Sequence, residues 1–341
     1  MLNEPWCQRD RVSDWGAGLW AAIRVGACAA IAVPAQSNVL TNPPPSLQCR
    51  ELIGDPHFQR GFILLEPTPG KKVIYGELRP ADSQGQPTWQ MAQWSSRQRL
   101  DASKTGRYVG GSLSWINSVK SVTLGLPGNP GADLALGINA SVEYGGRARL
   151  QGEPWVHLLV EQRFPQPPAL ANLTEARLRI EARLLRSKLL KTDNYSPGLH
   201  AAQFQIFFTL KNGRPDSPGY DRYLWFGVPI YDDRHRVPAA HKSQDTGGTE
   251  MFIFTAGGEA FTAQSAQDGE WISINQDLLP LMREALATAW QRGFLAESKM
   301  LADYCIGEMN MGWEVPGLFD VEMQVRNLSF EIKSRAVGQT Q

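Results

Sequence analysis

Trp155, His157, Glu161 and Arg163 fall at odd positions in a stretch whose even positions are Val156, Leu158, Val160 and Gln162. Residues two apart in a β-strand share a face, so the stretch predicts one face carrying a ring, an imidazole, a carboxylate and a guanidinium. A carboxyl desolvated beside aromatic rings is suited to general acid work, and Glu161 is the leading catalytic candidate. Glu143 is the second carboxylate. Cleaving a glycosidic bond takes two acids, about 5–5.5 Å apart in retaining enzymes and about 6.5–9.5 Å apart in inverting ones. A surface pair with Arg163 is the bland reading of Glu161, and an edge position before Tyr144-Gly145-Gly146 is that of Glu143. His157 and Tyr231 suggest a rival reaction. A lyase acting on a uronic acid needs a base, an acid and groups that neutralise the carboxylate, and His157, Tyr231, Gln203 and Arg163 would supply them.

Further rings and amides occupy expected non-core positions. Gln203, Gln205, Phe207 and Thr209 alternate with Phe204, Ile206, Phe208 and Leu210. Tyr223, Trp225 and Tyr231 share a parity opposite Leu224, Phe226, Val228 and Ile230, and Asn139 joins from another alternating stretch. Trp313 and Glu314 either border a groove or turn the chain into Pro316-Gly317. Flat rings suit the C–H face of a sugar, while amides and carboxylates suit its hydroxyls. Trp155, Arg163, Asn139, Gln203, Gln205, Tyr223, Trp225 and Trp313 are therefore the candidate glycan contacts. Asp232 and Asp233 could ligate a structural calcium ion, or cap a turn with Arg234 as counter-ion; no other cofactor is expected.

The strands that position these residues are read from period two. Phe62 to Leu65, Lys72 to Leu78, Trp89 to Trp94, Ser112 to Trp115, Val119 to Leu124, Leu134 to Glu143, Phe204 to Leu210, Tyr223 to Tyr231, Met251 to Thr255 and Val321 to Ile332 all predict strands. Leu173 to Leu190 fits strand or helix, with strand favoured for its first half. Asp277 to Arg292 has helical spacing and stops at Gly293. With 32 glycines and 23 prolines punctuating the chain, the expectation is a mainly β protein: an antiparallel jelly-roll β-sandwich with one or two peripheral helices. Trp155 to Gln162, His200 to Phe208 and Tyr223 to Asp232 resemble the concanavalin A-like jelly-roll group of secreted glycoside hydrolases, polysaccharide lyases and lectins. The paired-acid E-x-D-x-x-E strand motif of its laminarinase-like members is absent, so the resemblance assigns no catalytic role.

The 341 residues hold 34 basic and 34 acidic side chains. That balance argues against a general nucleic-acid or anionic-membrane binder. Arg24, the short apolar run Val25 to Ala32 and the small residues to Ala35 read as a secretory signal, or else as an N-terminal arm. The run is too short for a stable transmembrane segment. The expected organisation is a signal or arm over 1–35, a Pro-rich linker over 36–54, one sandwich over 55–333 and a tail over 334–341. Cys49 and Cys305, the pair left after cleavage, would either form a bridge or stay free. The function expected is that of a secreted or periplasmic protein that cleaves a polysaccharide or oligosaccharide, as hydrolase or lyase. A lectin-like binding module and an extracellular interaction domain are the alternatives.

Overall fold

The computed structural model describes residues 47–103, 106–125, 133–246 and 248–335. The signal or arm expected over 1–35 lies outside the described residues, as do most of the linker and of the tail. Among the described residues there are seventeen strands. They are β1 (Leu47–Glu51), β2 (Phe62–Leu65), β3 (Ile74–Leu78), β4 (Trp89–Ala92), β5 (Arg107–Val109), β6 (Ser112–Ile116), β7 (Lys120–Gly125), β8 (Leu134–Asn139) and β9 (Val156–Arg163). There follow β10 (Leu173–Leu189), β11 (Gln203–Asn212), β12 (Tyr223–Asp232), β13 (His241–Gln244), β14 (Phe252–Thr255), β15 (Ile272–Asp277), β16 (Tyr304–Val315) and β17 (Phe319–Arg335). The α-helices α1 (Ala140–Glu143) and α2 (Leu279–Gln291) interrupt them.

The strands form two large sheets with one core between them, so the chain is a mainly β sandwich of jelly-roll type. One sheet runs β15-β10-β17-β8-β7-β6-β5, with β1 also on β17. The other has nine strands in the order β13-β14-β12-β11-β16-β9-β4-β2-β3. Its pairing is antiparallel except between β12 and β14 and between β2 and β4, which run parallel. Among the described residues no helix is long and apolar enough to cross a membrane.

Tertiary pairing settles what local pattern left open. Leu173 to Leu189 pairs along its length with β17, so the whole stretch is strand, with Ala176, Leu178, Ile180 and Ala182 turned into the core. In α2 the buried face is Leu279, Met282, Ala285, Leu286 and Ala289, at helical spacing. Pro280 occupies its first turn, where a missing N–H costs nothing. The Asp277 carboxylate accepts the N–H groups of Leu279 and Ala176, fastening the helix start to β10.

Several expectations are corrected. The strand expected to reach Glu143 ends at Asn139, where the chain turns into α1, because Asp320 draws in both the hydroxyl and the N–H of Ser141. The stretch assigned to linker contains β1, and Leu52 and Ile53 beyond it are buried. Cys49 and Cys305 are free: the first is exposed with its thiol on Glu331, the second buried. Trp313 is not at a groove rim. It belongs to β16, is fully buried, and donates its indole N–H to the Leu136 carbonyl across the core at 2.8 Å. Phe204 and Tyr231 pack edge-on against it. Trp313→Ala should therefore cost about 3–5 kcal/mol of stability, measured by denaturant unfolding; a change below about 1 kcal/mol would contradict this packing.

Candidate functional site

The core requires Val156, Leu158 and Val160 of β9 to face inward, so the intervening residues stand on the outer face of the nine-stranded sheet. The register then sets up rows across that face. Gln90, Glu161, Asn310, Phe207, Gly227 and Thr255 are successive partners from β4 through β9, β16, β11 and β12 to β14. Trp225 lies beside this row, its ring edge-on to Phe207 at 6.0 Å and to Tyr223 at 5.2 Å. Its indole N–H is held by Thr249. Gly227 keeps the row low, because a Cβ there would sit 2.4 Å from the Thr255 hydroxyl and 2.8 Å from the Phe207 ring.

Glu161 is largely enclosed on this face, with 8% of its side chain exposed. The Lys72 ammonium meets it at 2.7 Å and reaches a second carboxylate, Glu308 of β16, at 3.7 Å. One oxygen of each carboxylate thus contacts the same ammonium, which brings the two acids together on this face. Arg163 ties Glu308 from the rim at 3.0 Å. A bulge opposite Thr209 produces this placement. Ile306 and Met309 both face the core, leaving Gly307 and Glu308 between them, and the Glu308 N–H donates to the Thr209 hydroxyl.

A second cluster lies further along β9. His157 is stacked on Trp155 at 5.6 Å and edge-on to Trp94 at 5.7 Å. Glu314 faces it, 3.5 Å from the imidazole and accepting the Trp155 indole N–H at 3.2 Å. Burial raises the Glu314 pKa, but the hydrogen bond and charge of His157 outweigh it and hold the carboxyl below its ordinary value. Gln203 is the next partner of Glu314, and its amide donates to Asp232 at 2.8 Å. Gln205 sits one row inward, opposite Gly312. Trp155, His157, Glu161, Arg163, Gln203, Gln205, Tyr223 and Trp225 thus share one sheet face.

Four expected members are elsewhere. Glu143 lies in α1, buried, in an ion pair with the equally buried Lys120 at 3.5 Å. Burial lowers the Lys120 ammonium to about 8 although Glu143 acts to raise it. The Ser96 hydroxyl and the Arg97 N–H also donate to Glu143. It is a structural carboxylate and does not face Glu161 across a ligand. Asn139 ends β8 in the other sheet, accepting from Arg186 and donating to Ser118. Trp313 is in the core. Tyr231 was expected beside Trp225, but a bulge between Phe204 and Gln205 turns both Ile230 and Tyr231 inward. Its hydroxyl donates to Ser187 at the open end of the sandwich, and burial pushes it up to about 12. His157 and Tyr231 therefore do not assemble the acid and base of a lyase.

Asp232 is taken by Arg234 at 2.6 Å and by Gln203, leaving Asp233 alone as a ligand for calcium. Among the described residues no group of three or more His, Cys, Asp and Glu is placed to hold a metal ion. The residues missed from the sequence are Lys72, Gln90, Glu308 and Asn310. The signal for the last two was period two in β16, where Met309, Met311, Trp313 and Val315 alternate with Glu308, Asn310, Gly312 and Glu314.

No family model matches the chain, and no curated protein matches it. Among solved structures it is similar to endoglucanase cel12A from Rhodothermus marinus, at 10% identity over 72% of this chain and 99% of that one, with a TM-score of 0.37. It is also similar to a family 12 xyloglucanase from Bacillus licheniformis (10% identity, 71% and 99% covered, TM-score 0.38). The family 11 xylanase from Neocallimastix patriciarum is another (8% identity, 71% and 99% covered, TM-score 0.34). These enzymes belong to the concanavalin A-like group. At such scores none of their residues maps onto this chain, and the fold rests on its own two sheets.

Asp233 supplies a test of the sandwich end. Burial, aided by the charge of Asp232, raises its carboxyl from 3.8 to about 6 against the Ala202 N–H, which lowers it. A raised folded-state value favours the protonated form, so this stabilising contribution is complete below pH 3.8 and lost as pH rises through 6. Asp233→Asn should flatten the pH dependence of stability across that window and be more stable than wild type at pH 7. Equal slopes in pH-dependent urea unfolding would refute the assignment.

Proposed function

We propose that the chain is a glycoside hydrolase that takes a glycan across the outer face of the nine-stranded sheet, with Glu161 and Glu308 as its two carboxylates. The observation that carries this reading is the single ammonium, Lys72, in contact with both acids beside an aromatic and amide platform. Trp225, Phe207 and Tyr223 offer ring faces to a sugar, and Asn310, Gln90 and Gln205 offer amides to its hydroxyls. In the step proposed, a Glu161 oxygen bonds to the anomeric carbon while the leaving oxygen takes a proton from Glu308. Water then displaces Glu161, with Glu308 taking the water's proton. Glu308 is assigned the proton transfers because it is the more exposed of the two and can exchange with solvent. Lys72 comes from the β2–β3 connection and is 36% exposed, so it can swing aside as the bond enters. The small-residue signature up to Ala35 supports secretion.

One observation favours a second reading. Lys72 fills the space between the acids, as in a structural ion cluster, and a binding module would need the platform without free carboxylates. The reaction test uses β-glucan, xyloglucan and xylan, assayed for reducing ends. Glu161→Gln and Glu308→Gln should each lower kcat/KM by about 10³ while binding in affinity electrophoresis persists. Trp225→Ala should raise KM several-fold. Wild type that binds but releases no reducing ends would replace this reading with the binding module; wild type that does neither would end both.

A further inference from the structure

Away from the sheet face, the two layers part at one end of the sandwich around a hollow of ≈ 610 Å³. Its walls come from the C-terminal part of β10, the end of β12, the segment after β10 and residues 267–269. Leu184, Leu189 and Phe319 supply apolar surface, and Tyr195 and Tyr231 supply rings. Three polar groups facing it are unspent. Asp233 accepts the Ala202 N–H but has no ion pair among the described residues, since the Arg234 guanidinium is committed to Asp232. The Tyr195 hydroxyl has no hydrogen bond among the described residues, and Lys191 has no ion pair among them. The other charged side chains of the rim are satisfied, Asp268 by Arg236 and Arg186 by Asn139.

We propose that this hollow is a second saccharide-binding site, separate from the sheet face and independent of whether that face is catalytic. Its chemistry selects the ligand class. One unspent carboxylate and one unspent ammonium in the same wall leave no net charge to be met, which disfavours an anion or a simple amine. A purely apolar ligand would strand both charged groups without water. A neutral sugar satisfies each group: its hydroxyls donate to Asp233 and accept from Lys191 and Tyr195, while its C–H face lies on the phenol ring and the leucines. The size suits a short oligosaccharide, within the about 300–1,000 Å³ usual for small-molecule sites.

The test uses the full chain carrying Glu161→Gln, so that a probe would not be consumed, with cellotetraose and xylotetraose as probes at pH 7. Hydroxyl-radical footprinting should show Tyr195 protected by at least one probe. Protection should persist when Trp225→Ala is added. Tyr195→Ala should weaken calorimetric binding at this site about tenfold, and the exposed-residue variant Lys191→Ala about threefold. Unchanged oxidation of Tyr195 at saturating concentrations of both probes would overturn the proposal. So would unaltered affinity in Lys191→Ala and Tyr195→Ala, or loss of Tyr195 protection with Trp225→Ala alone.

Discussion

The register between β9 and β16 is the constraint on which the outer face depends. With Val160 opposite Met311 in the core, Glu161 must stand opposite Asn310 outside, and Glu314 opposite His157. A slip of β16 by one residue would turn Asn310 and Glu314 into the core and expose Met311 and Trp313. The core enforces this through Trp313, whose ring meets Phe204 and Tyr231 and whose N–H is satisfied by Leu136 across the sandwich. The position of the candidate acids is thus a consequence of packing on the opposite side of the same strands.

Two carboxylates so close would repel each other strongly if nothing lay between them, and an enclosed charge needs a partner. Lys72 meets both needs from a connection rather than from a strand, with Arg163 adding a second cation at the rim. This differs from Glu143 and Lys120, where both side chains are sealed in the interior. A sealed pair can only hold structure. A pair with a partly exposed, long-chain cation can open.

Much of this arrangement was legible because alternation is a local signal. β9, β11 and β12 were readable from parity, and with them the shared face of Trp155, His157, Glu161, Gln203, Gln205, Tyr223 and Trp225. What failed depended on events that parity does not encode. One extra residue in β12, Ile230 opposite the step from Phe204 to Gln205, sent Tyr231 inward, and another in β16 opposite Thr209 brought Glu308 out. Which sheet a strand joins is decided by distant pairing, so Asn139 and Glu143 could not be placed from their own segment. Lys72 comes to Glu161 from a loop far earlier in the chain, which no local pattern announces.

The roles proposed for Glu161 and Glu308 make a stereochemical claim. A carboxylate that bonds to the anomeric carbon, with a second moving the protons, gives retention through a glycosyl-enzyme intermediate. The most direct measurement is proton NMR of the first product released by the wild-type chain from a β-linked glucan or xylan, followed before mutarotation. The β-anomer appearing first is the predicted result. The α-anomer appearing first would contradict Glu161 and Glu308 as the reacting pair.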